Sequence, residues 1–169
     1  MRTRDRRHRA REAALQILYH WEIGGNDIDR AADTLFSQQW ADADPPAEDL
    51  RAFAAGLAHH TVQRLDAIDP LIAATAERWR PERMAVLDRL ILRMAISELL
   101  RDPETPAAVV INEALELART FSSEESVRFI NGMLDAIRKK LSIAKDTKDT
   151  EDTKDTKDTK DTEDTQGKP

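Results

Sequence analysis

Four histidines, His8, His20, His59 and His60, are the first side chains to test for chemistry in this 169-residue chain, because the ordinary pKa of imidazole lies near neutrality. His59 and His60 are sequence neighbours, so on a helix they point about 100° apart. Neither belongs to an i, i+4 pair that would chelate a metal, and the chain has no Cys, which removes thiolate ligands, thiol catalysis and disulfides together. Its five glycines form neither a phosphate-cradling loop nor a nucleophile elbow, and no strand is predicted to support one. These features argue for a binding protein rather than an enzyme, with no metal and no cofactor.

One carboxylate is out of pattern. Glu98 projects onto the same side of its helix as Leu87, Ile91 and Met94, and a charge on an apolar face needs a partner or a raised pKa. An intramolecular Arg or a helix-terminal N–H meets that need more simply than a catalytic acid standing alone. The arginines at the start of the chain are more informative. Arg2, Arg4, Arg6, Arg7, Arg9 and Arg11 stand against Asp5 alone, a net +5 over eleven residues. A guanidinium donates two parallel hydrogen bonds to a phosphate, and short Arg-rich segments that order on contact hold RNA. A solvated, frayed terminus is the competing reading.

The segment VRFINGMLDAIRKKL, residues 127 to 141, contains Asn131-Gly132, a strong turn signal. Val127, Ile130, Leu134, Ile137 and Leu141 nevertheless recur at spacings of three and four straight through it, which is the period of a helix. Opposite that stripe lie Glu125, Phe129, Gly132 and Ala136, an aromatic ring beside two positions with almost no side chain. Something is expected to approach that backbone closely. It is either another helix of the same protein or an unpaired base stacked on Phe129, with Arg128 for a phosphate and Asn131 for a base edge. In the first helix, Glu12, Gln16, Tyr19 and Ile23 form a comparable second line, and an exposed Tyr and Ile there suggest a protein contact.

The elements that position these residues read as helices throughout. A first helix over residues 6–23 turns Ala10, Ala14, Ile17, Leu18 and Trp21 inward and stops at Gly24-Gly25. Asn26 or Asp27 caps a second, with Ile28, Ala31, Leu35 and Phe36 inward. The segment ADADPPA, residues 41–47, is a loop. A third helix covers residues 47–68, broken by Asp69-Pro70, and a short fourth ends near Trp79. Pro81 suits the first turn of a fifth helix, apolar over most of its circumference and therefore central. Pro106 opens a sixth, with Ala107, Ile111, Ala114, Leu115, Ala118 and Phe121 inward, and Ser122 with Glu125 makes a capping box for the seventh. Seven helices with proline breaks in the middle predict an all-α fold of two packed bundles.

Residues 145 to 165 are seven copies of Lys/Glu-Asp-Thr. With no apolar side chain to offset the entropy of ordering, residues 145–169 are predicted to be a disordered tail behind a helical domain at 1–144. The formal charge of −6 divides equally: the tail has six Lys against nine acids, and the body twenty Lys and Arg against twenty-three. The basic arm therefore survives an acidic average. No apolar run approaches the roughly 20 residues that span a bilayer, and the arginine-rich start lacks the apolar block of a signal peptide. A soluble cytoplasmic protein is expected.

RRHRAREAALQILYHWEI (6–23) and VINEALELARTFSSEESVRFINGMLDAIRKKL (110–141) resemble the two signature segments of the N utilization substance B (NusB) family of bacterial antitermination factors. VLDRLILRMAISELL and PAAVVINEA fall between them in the expected order, so the likeness covers residues 5 to 141. The KDT repeat has no counterpart, and Ser122 stands where such sequences often have glycine. The resemblance implies two three-helix bundles, no catalysis, and binding of the boxA element of ribosomal RNA leader transcripts together with NusE, the ribosomal small-subunit protein that doubles as an elongation factor, within an antitermination complex on RNA polymerase. By position, it places Arg6, Arg7, Arg11, Arg128, Phe129 and Asn131 on RNA, with Arg9 added on charge alone. Tyr19, Asp88 and Glu125 match positions at or near the NusE contact; read from the residues alone, Asp88 is an ordinary solvated charge. Two further readings stay open: a homodimeric helical scaffold that uses the Phe129 face for self-association, and an accessory subunit of an RNA-modifying enzyme, although the chain lacks the α/β domain that a methyltransferase requires.

Overall fold

The computed structural model describes the backbone of residues 3–39, 48–76, 83–101 and 105–155, and the side chains of 6–38, 48–76, 83–101 and 105–142. Among the described residues, seven α-helices follow one another: α1 (Thr3–Gly24), α2 (Ile28–Thr34), α3 (Glu48–Gln63), α4 (Leu65–Thr75), α5 (Val86–Arg101), α6 (Ala107–Phe121) and α7 (Glu124–Asp155). A π-helical turn, Leu35–Gln39, follows α2, and the described residues contain no strand. The fold is all-α, as the periodicity predicts.

Local chemistry sets the helix ends. α1 stops where Gly25 takes a positive φ of 59°, a conformation that costs glycine little. Asp27 caps α2 by accepting a hydrogen bond from the Asp29 N–H at 2.9 Å. The cap of α7 is one residue later than the capping box places it. Ser123 Oγ accepts the Ser126 N–H at 3.1 Å, while Ser122, in extended conformation, ends α6. Glu125 is therefore an exposed first-turn residue, too early in the helix to close a box.

The proline readings also need correction. Pro70 does not break a helix; it lies inside α4. The chain turns earlier, at Arg64 (φ −113°, ψ 15°). Pro70 is exposed, so the hydrogen bond its missing N–H forfeits lies on the wet side. Ile68 and Ile72 meanwhile hold the buried face of α4. α5 begins at Val86, several residues after Pro81. The predicted loop at 41–47, Trp79 and Pro81 lie outside the described residues.

The helices α1, α2 and α3 pack on one another as a first bundle, and α5 packs with α4 and α6 in a second. α5 also meets α1 and α3, which makes it the central helix that its apolar circumference predicts. Leu90, Ile91, Leu92, Met94, Ala95 and Ile96 are all buried, each large side chain worth roughly 1.5–3 kcal/mol of transfer free energy. α7 contributes Ile130, Leu134 and Ile137, buried as its stripe predicts. On α6 the buried face is rotated from the expected one, with Val110, Glu113 and Leu117 inward beside Ala114 and Ala118.

Ion pairs fasten the bundles. Arg93 holds Asp69 of α4 through two hydrogen bonds of 2.8 Å, and Arg89 holds Glu22 of α1 at 2.6 Å. His59 of α3 reaches Asp29 of α2 at 2.6 Å. The compact unit ends at Ile137. Residues 138–169 form a second unit, in which helical backbone continues to Asp155, past Lys145 where the repeat begins.

Candidate nucleic-acid interface and partner groove

The basic arm is the first turns of α1, helical from Thr3, so its described side chains are presented at helical spacing. Arginine at a helix start opposes the helix dipole, and an anion there relieves both charges at once. The structure divides the arginines by function. Arg9 is exposed. Arg6 reaches Asp49 of α3 at 3.1 Å, with side chains 39% and 67% exposed, a pair worth little and easily exchanged for a phosphate. Arg7 makes no ion pair among the described residues; its guanidinium lies 5.1 Å from the centroid of the Phe53 ring.

Arg11 is different, and its assignment to RNA is corrected here. It is 4% exposed. Its guanidinium grips both carboxylate oxygens of Glu98, with Nε donating to Oε2 at 3.0 Å and Nη2 to Oε1. It also lies 3.8 Å from Glu113, whose carboxylate accepts a hydrogen bond from His8 Nδ1 at 2.9 Å. The carboxylate on the apolar face thus has the intramolecular arginine that its burial requires. Arg11 belongs to the core.

On α7 the described geometry is open. A Cβ placed on Gly132 meets nothing within 4 Å, so among the described residues no helix packs there. Beside it, Phe129 is half-buried, and Arg128 and Asn131 are exposed. Arg128 lies 3.7 Å from Glu124, with both side chains more than four-fifths exposed. The arrangement is a half-buried aromatic residue close in sequence to bare backbone, flanked by a cation and an amide.

The residues read as protein contacts converge at the opposite end of α1. Tyr19 and Ile23 are exposed, at 41% and 57%. Tyr19 borders an open groove of about 460 Å³ that it lines with Leu15, Gln16, His20, Leu87 and Phe121. Glu125 is exposed on the first turn of α7. Asp88 is neither solvated nor free to meet a partner: at 5% exposure it accepts the Ser122 hydroxyl at 2.5 Å and the Ser126 hydroxyl at 2.6 Å. It pins the α6–α7 corner to α5, and Leu87 and Phe121 on either side of that pin line the Tyr19 groove. Ser122, the departure from glycine, is therefore held by a specific bond.

Sequence reasoning missed a second groove, of about 520 Å³, where Arg7 and Arg11 of α1 face Ala108, Val109, Asn112 and Glu113 of α6. Val109 is 45% exposed there. The signal was present in the α6 pattern, where Val109 and Asn112 fall off the buried stripe.

Among the described residues, no group of three His, Cys, Asp or Glu is placed to hold a metal, and no helix is long and apolar enough to cross a membrane. Fold and surface together define the class: an all-helical binding protein of two bundles, with a basic helix start, an open aromatic face and an apolar groove.

The sequence profile of the NusB family matches residues 8–139. The transcription antitermination protein NusB of Koribacter versatilis is 47% identical over 135 residues, covering 80% of this chain and 90% of that protein. NusB from T. maritima superposes with a TM-score of 0.71 at 30% identity, over 79% of this chain and 90% of that one. A crystal structure of antitermination factors NusB and NusE in complex with double-stranded RNA shares the fold, with a TM-score of 0.69 at 24% identity over 80% of this chain and 97% of that one. The chain belongs to the NusB family, and it is an antitermination factor rather than an enzyme.

Proposed function

We propose that this protein binds single-stranded RNA of the boxA type, from ribosomal RNA leader transcripts, together with the ribosomal small-subunit protein NusE. In this reading it acts in the cytoplasm within an antitermination complex on RNA polymerase. The observation that carries the reading is the open α7 face, where Phe129 stands near a Gly132 that nothing among the described residues approaches. A related complex of NusB and NusE with double-stranded RNA supports the coarser part of the reading, RNA and NusE as partners.

Arg6, Arg7 and Arg9 supply charge and register, Phe129 stacks an unpaired base, Asn131 reads a base edge and Arg128 meets a phosphate. Tyr19 and Glu125 border the surface for the basic ribosomal protein, and Asp88 positions that surface from beneath. Neutralising three to five phosphates on a single strand gives log affinity a slope of about −2 to −3.5 against log salt.

The deciding measurement is binding to a boxA-like strand and to a scrambled strand, each with and without NusE. Preference for the boxA-like strand, strengthened by NusE, supports the reading, and equal affinity for both strands in all four arms overturns it. Phe129→Ala is expected to lower affinity without altering the salt slope, whereas Arg7→Ala flattens the slope. Light scattering in the same samples reports whether a dimer forms that RNA neither binds nor dissociates, the outcome that favours a scaffold.

A further inference from the structure

We infer that the groove between the start of α1 and the start of α6 is a second base-binding site, holding one unpaired nucleobase against the free face of Arg7, with Asn112 reading its edge. The inference rests on the RNA-binding reading above and extends it to a pocket on α6, away from the α7 face.

Four observations carry it. First, the groove of about 520 Å³ falls within the roughly 300–1,000 Å³ of clefts that hold small planar ligands. Second, the Arg7 guanidinium lies over the Phe53 ring, 5.1 Å from its centroid, a cation–π contact that holds it in place. Arg7 is exposed, so a guanidinium stacked on a protein ring and open to solvent is a preformed platform for a base. Third, Asn112 is exposed, and its amide makes no hydrogen bond among the described residues; it can donate and accept together, as a base edge requires. Fourth, Val109 exposes 45% of its surface in the same groove, an apolar wall for the other side of a flat ring.

Charge favours a nucleotide over a protein segment as occupant. Arg6, Arg7 and Arg9 give the α1 end of the groove positive charge for the flanking phosphates. The one carboxylate lining it, Glu113, is already engaged by His8 at 2.9 Å and lies 3.8 Å from Arg11, so its negative charge is compensated. Arg11 stacks on the same Phe53 ring, 5.5 Å from its centroid, and its pairing with Glu98 makes the wall beneath Arg7 rigid.

The test uses the full chain and the boxA-like strand, with a series of otherwise identical strands that each carry one abasic nucleotide. Asn112→Ala is expected to weaken binding of the intact strand about tenfold, the scale of one lost base contact. It should leave affinity unchanged for the single abasic strand that lacks the groove's base. Val109→Trp, which fills the groove, should reproduce that position-specific pattern, and the salt slope should not move. Thermal unfolding confirms that both variants are folded, as exposed positions allow. Wild-type binding with Asn112→Ala and Val109→Trp both indistinguishable from it, or with losses equal for every abasic strand, overturns the second site while the RNA reading stands. A wild-type protein that binds no strand overturns both. Recovery of the groove variants' defect only in NusE affinity, with RNA affinity intact, assigns the groove to protein and also overturns the inference.

Discussion

Arg7 and Arg11 are one helical turn apart, touch the same aromatic ring, and do opposite jobs. Arg11 is spent on a buried carboxylate; Arg7 has no such partner and faces solvent. Arg11→Ala leaves Glu98 buried without its cation, a defect that costs about 3–5 kcal/mol when a buried pair is broken. Urea unfolding should show that loss, while the salt slope of RNA binding by the folded variant stays at the wild-type value. Gly132 separates stability from function in the other direction. With open space around its missing Cβ, Gly132→Ala should raise stability by roughly 0.5–1 kcal/mol through helix propensity, yet lower RNA affinity because RNA needs that space. A variant that is more stable and binds as well as wild type would show that nothing approaches the backbone there.

At the scale of elements, the α6–α7 corner controls how the open face is presented. Ser123 caps α7, and the hydroxyls of Ser122 and Ser126 meet on Asp88. Ser123→Ala removes the cap and should cost about 1 kcal/mol in a denaturant melt. The cost should come with faster amide exchange confined to the first turn of α7, and exchange spread evenly through the molecule would point to a different role. The corner also explains how serine is accommodated at position 122, where the resemblance leads glycine to be expected. Ser122 has an extended backbone with φ −138° and ψ −162°, open to any residue, so a side chain there enters no strained region and gains a bond instead.

For the molecule as a whole, stability should depend on acidity through His60. Burial first, and then the charges of Arg101 and Arg64, lower its pKa from the ordinary 6.5. The folded state therefore resists protonating a histidine that the unfolded chain protonates readily below pH 6.5. Stability is full above that value and declines as pH falls through the window between 6.5 and the lowered folded value. Denaturant midpoints measured across this range should fall toward acid, and His60→Gln should flatten that part of the curve. An unchanged profile would place the acid sensitivity in other groups. The core that these midpoints report lies within residues 10–137, the span of every buried apolar side chain among the described residues.

The sequence alone determined the helices, their number, the central place of α5 and the two faces of α7, because each is a local periodicity that survives whatever it packs against. It also identified Glu98 as a charge in need of a partner, an arginine or a helix-terminal N–H. It did not determine which arginine. Arg11 and Glu98 are separated by 87 positions, and only the meeting of α1 with α5 shows that one member of the basic arm is part of the core. The same limit applies to Asp88, whose burial depends on two serines from another corner of the chain, and to Pro70, which stays in a helix because its solvent-facing side can spare a hydrogen bond. The α6 pattern sets Val109 and Asn112 off the buried stripe, but the α1–α6 groove itself exists only once the two helices are placed side by side, since a cavity belongs to neither alone.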